Sequence, residues 1–112
     1  MKWAEVFEKH KKISPIHTED TILKSLSFSN DRRRTRRHKA DGENLYFHLT
    51  PSHPKRDIEA LKSAMASGLR VPVYKKISPN KWEDIGLHIV KKYFERTDDL
   101  GRPSLVFLVS PG

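Results

Sequence analysis

The chain has 112 residues, 36% hydrophobic and 32% charged, which is enough for one domain with a modest core and too apolar for a disordered tail. Its formal net charge of +8 points to a polyanionic partner (DNA, RNA or an anionic lipid), against the plainer reading of a basic but inert exterior. The absence of cysteine excludes disulfides and thiolate metal sites, and no apolar run approaches the roughly 20 residues that span a bilayer. With no apolar signal core at the N-terminus, the expectation is a cytoplasmic or nuclear protein that engages no membrane.

Taken in order, Met1–Lys12 reads as a helix, with Trp3, Val6, Phe7 and His10 on one face and Glu5, Glu8, Lys9 and Lys12 off it. Ser14-Pro15 ends that pattern. Thr18 then has the character of an N-cap, with Glu19 and Asp20 favourable in a first turn. Ile22, Leu23 and Leu26 follow at helical spacing, which predicts a second short helix to about Ser27.

Next comes a run from Arg32 to Lys39 that holds five arginines and one lysine in eight residues. Such a run repels itself and stays exposed until an anion neutralises it. Arg32, Arg33, Arg34, Arg36 and Arg37 present planar donor forks suited to phosphate oxygens, with His38 and Lys39 beside them. This is the first candidate for nucleic-acid contact. A solvated loop or a localisation signal would share the composition.

Glu43–Thr50 alternates as a strand, with Leu45, Phe47 and Leu49 on one side and Tyr46 and His48 on the other. Tyr46 is placed to stack on a base and His48 to donate to a base or phosphate, although an exposed aromatic on a sheet is more often ordinary packing. Pro51–Pro54 is a turn. A helix begins near Asp57, buries Ile58, Leu61, Ala64 and Met65, and closes at Gly68. Arg70–Ile77 is a strand with Lys75 and Lys76 at its basic end. Pro72 lacks an N–H and so predicts an edge strand or a bulge.

Between Trp82 and Phe94 two periods compete. Trp82, Ile85, Ile89, Val90, Tyr93 and Phe94 suit an amphipathic helix, whereas Ile85, Leu87 and Ile89 alternate, and Gly86 costs a helix interior about 1 kcal/mol relative to Ala. A loop over Thr97–Pro103 leads to a last strand, Ser104–Val109, whose apolar run predicts burial on both faces.

Signals of catalysis are poor. There is no phosphate-cradling glycine pattern, no serine elbow and no helical histidine pair at metal-ligand spacing. His48 and His53 lack an obvious third ligand. The expectation is therefore no catalytic residue, no metal and no cofactor. One enzyme reading stays open: His48-Leu49-Thr50 followed by a helix ending at Gly68-Leu69 is similar to the opening of ADP-ribosyltransferase-like folds, truncated here by the 43 residues left after Leu69.

Three segments in the second half resemble the SRA (YDG) domain, a PUA-like family that binds modified bases in DNA. Ala60, Leu61, Val71, Val73 and Lys75 fall at the spacing of its A-L…P-V-R-V-I-R segment. Gly86, Leu87, Val90, Tyr93 and Phe94 match its Y-D-G-L-Y-x-V-x-x-Y-W segment, with Asp84-Ile85 where the family has Tyr-Asp. Gly101, Leu105, Phe107 and Pro111-Gly112 approximate the third. The resemblance covers about half the chain and implies a strand over Trp82–Phe94, where periodicity alone favours a helix.

It implies a single α+β domain over residues 1–112: N-terminal helices over 1–28, a basic loop over 29–42, and a small curved, partly closed SRA/PUA-like β core over 43–112. It further implies a non-catalytic DNA-binding module that takes a flipped, modified base. On this reading the arginine run holds phosphates, Lys75, Lys76 and Tyr46 border a concave face, and any cleavage comes from a nuclease partner, as in restriction-modification systems. An RNA- or single-stranded-DNA-binding PUA-like protein is the alternative that keeps the basic face and drops base recognition.

Overall fold

The computed structural model describes residues 1–11, 15–29, 39–50, 53–97 and 100–112. Within these, helix α1 covers Trp3–His10 and helix α2 covers Lys55–Ser67. The strands are β1 (Ile16–Glu19), β2 (Ile22–Phe28), β3 (Lys39–Asp41), β4 (Asn44–Leu49), β5 (Arg70–Ser78), β6 (Lys81–Thr97) and β7 (Pro103–Pro111). They form one seven-stranded sheet in the order β1-β2-β5-β6-β7-β4-β3. Only β2 and β5 run parallel, so the sheet is mixed.

Strand β6 has 17 residues and would measure about 55 Å if straight, yet the longest dimension of the molecule is 36 Å. The strand must bend, and the sheet bends with it. The sheet is therefore curved, as the sequence predicted, and open at β1 and β3 rather than closed into a barrel.

Helix α2 lies on one face. Ala60, Leu61 and Ala64 meet Leu23, Leu26, Phe28, Leu45, Phe47, Leu49, Val71, Val73, Val90, Phe107 and Val109 in the main core. Phe28 meets Phe47 edge-on at 5.5 Å, and Tyr93 stacks on Phe107 at 5.3 Å. Gly68 ends α2 in the left-handed conformation (φ 67°), donating to the Ala64 carbonyl as the sequence predicted. Asp57, buried on this helix, accepts from the Thr18 hydroxyl at 3.4 Å and ties α2 to β1.

Helix α1 covers part of the opposite face. Val6 packs against Tyr74 and Trp82, Trp3 stacks against Trp82 with centroids 4.9 Å apart, and Met1 exchanges two backbone hydrogen bonds with Trp82, each 2.6 Å. His10, fully buried, shares a 2.6 Å hydrogen bond with the Ser25 hydroxyl. His17 and Tyr74 meet the His10 ring edge-on at 5.9 and 6.3 Å.

The second helix expected over Thr18–Ser27 does not form. Those residues make a β-hairpin, with Asp20 (φ 51°) and Thr21 (φ 63°) as a two-residue turn of the primed type. The helical spacing of Leu23 and Leu26 has a different cause. Leu23 pairs with Thr18 but Ser25 pairs with His17, so Lys24 is an extra, bulged residue. A bulge lets residues three apart face the same side of a strand, and both leucines enter the core. The division at residue 43 is also corrected: β1 and β2 belong to the sheet, and Lys39–Asp41 of the expected basic loop forms β3.

The same device resolves Trp82–Phe94, which is strand. Asp84 pairs with Tyr74 and Leu87 with Pro72, so β6 carries an extra residue around Gly86 (φ 88°), whose N–H donates to the Asp84 carboxylate at 2.9 Å. Val90 pairs with Val109 but Lys92 with Leu108, so Lys91 is a second extra residue. Val90 and Tyr93, three apart, therefore both face the main core. Pro72 sits at the first of these irregularities, which is the bulge alternative; β5 is nonetheless an interior strand between β2 and β6. Its ladder with β2 begins only at Val73, so the missing proline N–H leaves no gap there. Strand β7 is buried on both faces from Val106 to Ser110.

Buried polar groups generate two stability predictions. Ser25→Ala removes the hydroxyl partner of a fully buried imidazole and should cost about 1–3 kcal/mol in urea unfolding, whereas substitution of the exposed Lys24 should not. The pKa of His53 lies below its ordinary value of 6.5 because partial burial disfavours the cation more than the nearby Asp57 charge favours it. The unfolded chain therefore takes up this proton first as pH falls, and stability present above pH 6.5 is lost below it. His53→Gln should lessen the fall in Tm between about pH 7 and about pH 5; an identical fall in the variant would show that His53 makes no contribution.

Candidate nucleic-acid interface

Alternation along β4 sends Leu45, Phe47 and Leu49 into the main core and leaves Tyr46 and His48, both half-buried, on the opposite face, as predicted. Residues paired across strands share a face. Tyr46 pairs with Leu108, and Leu108 pairs with Lys92. His48 pairs with Val106, and Val106 with Phe94. Arg96 follows in the same alternation, opposite Ser104, with its guanidinium 4.7 Å from the Phe94 ring centre. Ser110, also on this face, donates to the Asn44 side-chain oxygen at 2.8 Å.

The result is two cross-strand rows, Tyr46–Leu108–Lys92 and His48–Val106–Phe94, with Arg96 beside the second. On β3, the backbone partner of Tyr46 is Lys39. Lys92 and Arg96 are exposed, and Lys91, pushed out by its bulge, is exposed beside them. Glu95 alternates onto the other side of β6, opposite Leu105. This end of the face is thus cationic and aromatic.

The predicted site residues divide accordingly. Tyr46 and His48 lie together on one face of β4, and Lys39 is the backbone partner of Tyr46. Lys75 pairs with Glu83 and Lys76 with Trp82, at the other end of β6. Ten residues of strand, about 30 Å of path, separate the Trp82 and Lys92 positions. Lys75 and Lys76 therefore do not join Tyr46. Arg32, Arg33, Arg34, Arg36, Arg37 and His38 lie outside the described residues. By connectivity their segment links β2, near one edge of the sheet, to β3 at the other.

Lys91, Lys92, Phe94 and Arg96 were missed by the sequence reading. Their signal was present: in V-K-K-Y-F-E-R a two-residue period puts Lys92, Phe94 and Arg96 on one side and Tyr93 and Glu95 on the other. It becomes visible only once the segment is taken as strand.

At the α1 end the same face is sealed. His10 and Ser25 make a serine–histidine pair in distance, but they are 0% and 3% exposed, so no substrate reaches them. Burial and the charge of Asp84 raise the pKa of Tyr74, which keeps its hydroxyl protonated there. Among the described residues no three His, Cys, Asp or Glu side chains cluster as metal ligands, and no helix is long and apolar enough to cross a membrane.

No protein-family model matches the sequence, and no curated protein does. Solved structures do match. The SUVH5 SRA domain in complex with hemi-methylated CG DNA superposes with a TM-score of 0.80 at 20% identity, covering 100% of this chain and 85% of that one. The complex of the same domain with methylated CHH DNA gives 0.79 at 19%, covering 100% and 86%. Arabidopsis thaliana SUVH6 in complex with SAM gives 0.69 at 17%, covering 96% of this chain but 24% of that one. The similarity thus extends beyond the three C-terminal segments to β1, β2 and α1, and the chain has an SRA-like fold.

Proposed function

We propose that this chain is a DNA-binding module without catalytic activity of its own, and that its ligand is a duplex carrying a modified base. The observation that carries this reading is the match of the whole chain to SRA domains whose solved structures hold methylated or hydroxymethylated DNA. Three features of the chain support it. The net charge is +8, and residues 31–39 alone hold five arginines and one lysine against one aspartate. That run leads directly into Lys39, whose strand partner Tyr46 lies in the cationic, aromatic row. The close serine–histidine pair, His10 and Ser25, is sealed from solvent.

In this reading Arg32, Arg33, Arg34, Arg36 and Arg37 hold backbone phosphates, which position the duplex without reading its sequence. Tyr46 and His48 face the nucleic acid from β4, where a ring can stack on a base and an imidazole can donate to its edge. Lys75 and Lys76 serve as outlying phosphate ligands, reached by a partner long enough to run along β6. Cleavage of the bound DNA would fall to a separate nuclease.

Titration of fully methylated, hemi-methylated and unmodified duplexes of one sequence, and of the corresponding RNA, tests the proposal at two salt concentrations. The expected order is modified duplex, then unmodified duplex, then RNA. Equal binding to all four would leave only a non-specific polycation. Replacing Arg33, Arg34, Arg36 and Arg37 together with alanine should lower the slope of log K against log salt by up to about 3.6 on duplex DNA, at about 0.9 for each phosphate no longer neutralised. An unchanged slope would remove the run from the interface.

A further inference from the structure

We propose that Lys92, Phe94 and Arg96 on β6 extend the nucleic-acid face beyond Tyr46 with a subsite that takes an unpaired, unstacked strand rather than a duplex. This inference rests on the nucleic-acid-binding reading above and adds a subsite and a ligand form to it. Lys92 and Arg96 are exposed, two positions to either side of Phe94 on the same face of one strand, and Lys91 adds a further exposed cation at the bulge. Their spacing of two residues sets each cation about 7 Å along the strand from the ring between them. The acidic residue of this stretch, Glu95, points the other way, so the row is complementary to a polyanion.

Phe94 is what distinguishes the ligand form. It has no hydrogen-bonding group and so reads neither phosphate nor base edge. Its usable surface is the ring face, and the paired bases of a duplex offer no face to it because they are stacked on one another; a flipped base offers one face, a single strand a succession of them. Unpaired bases stack on aromatic rings and on guanidinium planes alike. The Arg96 guanidinium already lies 4.7 Å from the Phe94 ring centre, so ring and guanidinium form a ready stack that an incoming base extends or enters. Tyr46 offers a second ring about 12 Å from the Phe94 position, across β7 and one row along, in the row that ends at Lys92. The ordinary alternative is that Phe94 merely covers Val106 and that Arg96 shields it from water.

The test is fluorescence anisotropy with a labelled single-stranded oligonucleotide and the matching duplex, on the wild-type chain and on Phe94→Ala, Phe94→Leu and the double variant Lys92→Ala/Arg96→Ala. The two charge positions are exposed, so that variant should fold even if Phe94→Ala does not; circular dichroism and thermal unfolding check each one. The expected result is a loss of about 5- to 150-fold in single-strand affinity for Phe94→Ala. Phe94→Leu, which keeps apolar cover but loses the ring, should behave alike, and both should lower single-strand affinity by a larger factor than duplex affinity. The double variant should lower the single-strand salt slope by about 1.4, at about 0.7 per phosphate. Full single-strand affinity in Phe94→Leu, or equal losses on both ligands, would overturn the stacking site. A wild-type chain that binds duplex but not single strand would sink this inference and leave the proposed function standing, whereas binding to neither would end both.

Discussion

Strand β6 sets the shape of this molecule. It is too long to lie straight within a body 36 Å across, it pairs with β5 over its first half and β7 over its second, and it therefore bends where those partners hand over. Two extra residues permit the bend, one around Gly86 and one at Lys91. Each shortens the effective strand and raises its local twist. The bend gives one sheet face two environments. Helix α1 closes the first over Trp82 and Tyr74, and the second carries Lys92, Phe94 and Arg96.

Those extra residues also explain where the sequence was legible and where it misled. Strand β4 has no bulge, and its alternation placed Leu45, Phe47 and Leu49 in the core and Tyr46 and His48 opposite without error. Helix α2 has the plain signature of a 3.6-residue period closed by glycine. Strands β2 and β6 each insert residues, so that Leu23 and Leu26, and Val90 and Tyr93, face the core three positions apart. Three is a helical interval. A bulged strand therefore imitates a helix to any test of periodicity. At β6 the resemblance to a known family broke the tie, and at β2 nothing did. The turn between β1 and β2 was hidden for a separate reason: it uses Asp20-Thr21 at positive φ, where the sequence signal for such turns is Asn-Gly or Asp-Gly.

The candidate site follows the same logic. Tyr46 and His48 could be placed on one face from sequence because they lie on a regular strand. Lys75 and Lys76 were drawn to them by being basic and near a strand end, but proximity in a sheet depends on register, and register placed them at the far end of β6. Lys92 and Arg96 entered only through the pairing of β6 with β7 and of β7 with β4. The nearness of residues 46 and 92 has no trace in local composition.

The two ends of this face also argue about chemistry. At the α1 end, polar groups are numerous and close: His10, His17, Ser25 and Tyr74 are all at most 5% exposed. A site built for catalysis needs such groups beside a cavity that admits substrate; here the groups bond and pack against one another beneath a helix. The His10–Ser25 hydrogen bond and the ring contacts offset part of the cost of burial, while His17 Nδ1 is buried without a hydrogen-bond partner; what these groups contribute is the fixed seating of α1 on the sheet. At the opposite end the charged groups Lys91, Lys92 and Arg96 remain in water, where a cation keeps its hydration until a phosphate replaces it. Among the described residues, His10, His17, Ser25 and Tyr74 are thus held inside and Lys91, Lys92 and Arg96 outside, on one face of one bent sheet.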